Sequence, residues 1–172
     1  MAIRKSTISK KMEDKRQEII TELWPELDPK SVWHRKKSDG WTTIPRCMPL
    51  ILDMLNQLSN GNPLFTTYLA LWCRSHDEML VEVKDEKVLA FESGFKGERA
   101  VATWKSKMKT LMELGFIDAR GGRSGNYSYV IIFNPFQIVK KHYKSGSGQI
   151  NQKSYLALME RAQEVGAKDL SD

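Results

Sequence analysis

The chain has 172 residues, of which 41% are hydrophobic and 28% charged, with a formal net charge of +6. That length suits one well-packed domain with extensions or two very small ones, and the composition is that of a globular protein rather than a disordered one. No apolar run approaches the roughly 20 residues a bilayer-spanning helix needs, so no membrane partner is expected.

The basic N-terminus, MAIRKSTISKKMEDKR, leads into no apolar signal-peptide core. The expected location is the cytoplasm, in a bacterium the cytoplasm or nucleoid. Positive charge favours polyanions, and where it lies matters more than its total. Cys47 and Cys73 form no Cys-x-x-Cys pair and fall beside apolar helical patterns, where a free thiol is a small buried hydrophobe.

In chain order, residues 9–24 read as an amphipathic helix, with Met12, Ile19, Ile20 and Leu23 on one face and Pro25 as its stop. An irregular stretch over 26–39 contains the basic run Arg35, Lys36, Lys37. Pro49 belongs in a first helical turn, and Ile51, Leu52, Leu55 and Leu58 follow at helical spacing as far as Asn60-Gly61. Asn62-Pro63 reads as an N-cap and first position of the next helix, 63–76, which is apolar around most of its circumference. Residues 79–84 make a short strand. Asp85 caps a short helix ending near Gly94, and Phe95-Lys96-Gly97 is a tight turn.

The longest clean helical pattern then runs over 98–114, closed by Gly115. Two strands, 116–120 and 127–133, flank the glycine-rich loop 121–126 and make a hairpin. Asn134-Pro135 opens a short basic helix to Tyr143, residues 144–148 read as a flexible linker, and a last helix spans 154–165 with Leu156, Leu158, Met159 and Ala162 on its apolar side. The domains expected are thus an N-terminal helix and basic arm (1–41), a central domain (42–143), and a linker with a C-terminal helix (144–172). The fold class expected is mainly α with a small β-hairpin, that is α+β.

This order of elements, with Leu111-Met112-Glu113-Leu114-Gly115-Phe116-Ile117 as the exit from the long helix, resembles the winged helix-turn-helix superfamily over about 90 to 100 residues. The resemblance implies a recognition helix at 98–114 and a wing at the hairpin. The residues of the long helix support the same use. At about 100° per residue, Val101, Trp104, Met108, Leu111 and Met112 cluster inward. Arg99, Thr103, Ser106 and Thr110 face outward, flanked by Lys107 and Lys109. Hydroxyls and a guanidinium suit base edges and phosphates in a major groove. The hairpin adds Arg120, Arg123, Ser124 and Asn126, with no acidic residue from Ala119 to Phe133. Lys96 completes a stretch of seven basic and three acidic side chains between 96 and 124. The outlying groups Lys140, Lys141, His142, Lys144 and Arg35 to Lys37 could widen that footprint.

No metal-ligand spacing, P-loop, dinucleotide-binding turn or nucleophile elbow is present, so neither an enzyme nor a cofactor is expected. Trp24, Trp33, Trp41, Trp72 and Trp104 read as core. The expected partner is double-stranded DNA, bound by a bacterial, phage or plasmid transcriptional regulator, with the terminal helices either pairing two copies or covering the core of their own domain. A plasmid or phage replication or partition accessory factor, and a winged helix that binds protein rather than DNA, remain the alternatives. No small-molecule ligand is inferable.

Overall fold

Proline and glycine punctuate this chain, and the computed structural model, which describes residues 2–170 (side chains from residue 10 onward), places its helices between them. The described residues form seven helices and a three-stranded antiparallel sheet, an α+β architecture. Two compact units divide at residue 41, Met1–Trp41 and Thr42–Asp172.

In the first unit, α1 (Ala2–Leu23) begins well before Ser9. No proline or glycine interrupts the chain from 2 to 23, so the helix runs through the Ser and Thr residues read as its start. Every described side chain of α1 is exposed. Beyond it, a chain of turns brings Lys36 Nζ to 3.9 Å from Glu13 and Arg35 over the Trp41 ring at 4.8 Å. Trp24, Trp33 and Trp41 are exposed, contrary to the expectation that all five tryptophans are core.

Among the described residues, the second unit holds the whole hydrophobic core. Its elements are α2 (Met48–Leu58), α3 (Phe65–Arg74), β1 (Leu80–Glu82), α4 (Glu86–Glu92), α5 (Ala100–Glu113), β2 (Ile117–Gly122), β3 (Gly125–Ile132), α6 (Pro135–Lys144) and α7 (Gln152–Val165). The strands stand in the order β1-β3-β2, with Val81 and Ala119 both opposite Val130, so the middle strand and its two neighbours bury one apolar face. Ile51, Met54 and Leu55 of α2, Tyr68 and Leu71 of α3, Leu89 of α4 and Trp104, Met108 and Leu111 of α5 close over it, all of them fully buried.

Several local expectations change here. Asn62 does not cap α3. Buried Leu64 occupies the cap position instead, and the Asn62 carboxamide oxygen accepts a hydrogen bond from Lys107 Nζ. Cys73 is exposed, because only one side of α3 meets the core, whereas Cys47 is buried and its thiol pKa is pushed up by that burial. The segment 144–172 folds into the same unit as 42–143. α7 packs Tyr155, Leu158 and Ala162 inward, with Leu156 and Met159 left out. Its start is tied to α2 by Gln57, whose Nε2 donates to Ser154 Oγ (2.9 Å) and whose Oε1 accepts from Asn151 N (2.9 Å), and Tyr143 stacks on Tyr155 at 3.8 Å. A cleft of about 460 Å³ opens among Cys47, Trp72, Ile132, Phe136 and Ala167, which the sequence does not announce. No helix among the described residues is long and apolar enough to cross a membrane.

Candidate nucleic-acid interface

α5 owes its position to its inner face. Trp104, Met108 and Leu111 are fully buried, and the Trp104 ring meets Tyr127 of β3 edge-on at 5.4 Å. At the exit, Gly115 takes φ +79°, its N–H donates to Met112 O (2.9 Å), and Phe116 N–H donates to Leu111 O (3.0 Å). This is the Schellman arrangement, in which a left-handed glycine ends the helix and a buried aromatic, Phe116, anchors the start of β2.

The opposite side of α5 is open to solvent along Arg99, Ala102, Ser106, Lys109 and Glu113, spaced three and four apart. Thr103 and Thr110, expected at its centre, are half-buried edges, and the Thr110 hydroxyl donates to Ser106 O (3.1 Å) within the helix. From 99 to 112 the sequence carries four cations and no acid.

Lys107 does not belong to this outer face. It is buried, its ammonium held by Asn62 in the turn before α3, and desolvation pulls its pKa below the ordinary lysine value. Lys105, absent from the residues expected to face DNA, stands on the other edge and pairs with Glu86 of α4 at 2.7 Å. Nothing in the sequence signals that pairing, because it depends on how α4 packs on α5.

The hairpin is shorter at its tip than its glycines suggest. Both strands extend into the expected loop, leaving Arg123-Ser124 as a two-residue turn between the paired Gly122 and Gly125. That turn is fastened to the body. Ser124 donates its hydroxyl to the Val83 carbonyl and also bonds Ser128 Oγ (2.9 Å), so Ser124 is an anchor of the hairpin rather than an outward contact. The Glu86 carboxylate lies against Gly125, where a Cβ would collide with it. Tyr127 ties the hairpin to α5 by donating to Lys105 O (3.3 Å), and burial raises its phenol pKa so that it remains a donor.

Arg120, Arg123 and Asn126 are exposed on this fastened hairpin. Arg120 is paired with Asp118 at 2.7 Å and Lys109 with Glu113 at 3.7 Å. Arg99 and Arg123 have no ion pair among the described residues, and exposed Lys96 lies over the Phe91 ring at 6.0 Å. Of the outlying basic groups, His142 Nε2 contacts Leu114 O at 2.8 Å and Lys140 donates to Leu170 O at 3.2 Å, so both serve the fold.

The resulting surface joins the outer stripe of α5 to the cationic hairpin through Tyr127 and Lys105. Comparison with protein-family models, with curated proteins and with solved structures gave no match.

Proposed function

We propose that this chain is a duplex DNA-binding protein of winged-helix type, with α5 as its recognition helix, the β2–β3 hairpin as its wing, and regulation of transcription as its role. The observation that carries this reading is the solvent-facing row Arg99, Ala102, Ser106, Lys109 beside an arginine-tipped hairpin rooted on the same helix. A helix with side chains is about 10–12 Å across, which matches a major groove about 12 Å wide. Small side chains at 102 and 106 let the helix approach base edges, while Arg99 and Lys109 lie toward the flanking phosphates. The hairpin, stiffened by Ser124 and Tyr127, carries Arg123 to the neighbouring backbone or minor groove.

A gel-shift titration over a salt series tests it. Each neutralised phosphate contributes about −0.9 to the slope of log affinity against log salt, so contacts from Arg99, Lys109 and Arg123 predict a slope of about −3. The pairing of Lys105, Lys109 and Arg120 with acids favours a second reading, a protein-docking module. No shift with any duplex, or an affinity indifferent to salt, would establish that reading over the first. Footprinting on DNA around the chain's own gene then identifies the site.

A further inference from the structure

The described apolar residues of α1 are all exposed. Met12 (52% exposed), Ile19 (42%) and Leu23 (60%) lie along the helix, with Trp24 (57%) just past its end. One exposed leucine is ordinary, but a row at helical spacing is a surface that association covers. The charges along the same segment are divided with unusual sharpness. Residues 4–16 hold six basic and two acidic side chains, whereas residues 17–28 hold Glu18, Glu22, Glu26 and Asp28 and no basic one. Glu18 and Glu22, four apart on one helix, repel each other.

We propose that α1 is the pairing surface for a second copy of this chain, with the two helices antiparallel about a two-fold axis near Gln17. Such an axis sets the basic half of each copy over the acidic half of the other, twice over, as an isologous contact requires. Parallel pairing would stack like charges instead. The partner's Met12 also has a receptor. Residues 24–37 return beside the C-terminal half of α1 and form with it a groove of about 440 Å³, lined by Ile20, Trp24, Leu27 and Val32. The inner face of the C-terminal helix is not available for pairing, since Tyr155, Leu158 and Ala162 of α7 are already buried in their own unit. This inference goes beyond DNA binding and does not depend on it.

Sedimentation velocity on the full chain over a dilution series is the test, and the expected result is a two-chain mass. Reversing the acidic half (E18K/E22K/E26K) or the basic half (K10E/K11E/K15E/R16E) halves the mass. An equimolar mixture of the two reversed proteins restores it, since each contact again sets cations on carboxylates. That recovery also shows that the reversed helices are folded. With exposed Cys73 changed to Ser, Gln17→Cys cross-links two copies on oxidation and Glu26→Cys does not. A one-chain mass at every concentration, a two-chain mass indifferent to both reversals, or equal cross-linking at 17 and 26 would overturn the proposal.

Discussion

Lys105, Lys107 and Lys109 follow one another along α5 and end in three different surroundings. On a helical wheel centred on Ser106, Lys105 and Lys107 fall at opposite rims about 100° away, while Lys109 stays near the centre. The wheel places all three on or beside the outer face. It does not show that the turn before α3 offers Asn62 to Lys107, or that α4 offers Glu86 to Lys105. Replacing Lys107 by Met is expected to leave DNA affinity unchanged, whereas Lys109→Met and Arg123→Met each weaken binding to all duplexes and reduce the salt slope by about one. The same Lys107 variant removes a pH dependence. Because the folded pKa lies below the ordinary value near 10.4, the unfolded chain binds more protons in that window. The Lys107 contribution to stability therefore rises with pH there, against the fall contributed by Cys47, Tyr68 and Tyr127, whose raised pKa values give the folded chain the extra protons, so urea midpoints between pH 9 and 11 are expected to fall more steeply in the variant than in the native protein.

Gly125 is a second position where one side chain decides local geometry. Its φ of +132° is a conformation that residues with a Cβ rarely adopt, and the Glu86 carboxylate fills the space a methyl would need. Gly125→Ala is expected to cost about 1–3 kcal/mol of stability in denaturant unfolding. An unchanged midpoint would mean that the hairpin tip does not rest on α4.

At the scale of elements, signals carried by one or two adjacent residues are legible in the sequence. Asp85 caps α4 by accepting from Lys87 N (2.8 Å), Asn134 caps α6 by accepting from Phe136 N (3.0 Å), and Gly115 ends α5 as its position implies. Each depends only on a side chain and backbone a few residues away. Signals that depend on remote partners mislead. The glycines at 121, 122 and 125 suggest an open loop, yet Gly122 pairs with Gly125, whose carbonyl accepts from Ser128 Oγ, and Gly121 falls at the register shift before that pair. Asn62 looks like a cap, but a lysine 45 residues away claims its side chain. The α3–α4 junction depends on another remote contact, the two-pronged pairing of Arg74 with Glu92. The Arg74 guanidinium, chiefly through its hydrogen bonds, holds the Glu92 carboxyl below its ordinary pKa. The stabilisation is therefore present above the ordinary glutamate value and is lost as pH falls through the lowered one. Both side chains are about a third exposed or more, so Glu92→Gln is expected to cost at most about 1 kcal/mol at pH 7. At pH 3 the cost shrinks, which thermal unfolding at the two values would reveal.

Across the described residues, the core is drawn from residues 47–170, with none from the first unit. A protein reduced to residues 42–172 is expected to unfold cooperatively, with a midpoint within a few degrees of the full chain, because the shortened protein keeps the whole buried cluster. A loss of cooperativity on calorimetry would show that the first unit supports the second. The break at residue 41 is legible because Asp39-Gly40 marks a turn ahead of a proline-punctuated helical region. The association of the C-terminal helix with α2 is not, because a sequence gives the apolar side of a helix but not the surface that will receive it.

The same partition makes the tryptophans a two-colour label. Trp24, Trp33 and Trp41 meet water in the first unit, while Trp72 is 7% exposed and Trp104 fully enclosed in the second. Acrylamide or iodide added to the one-chain E18K/E22K/E26K protein, in which no second copy covers Trp24, should extinguish the red-shifted emission of the exposed three and leave a residual blue signal from the enclosed pair. That residual light belongs to the α3 and α5 tryptophans alone, so it tracks the opening of the larger unit without reporting on the smaller one.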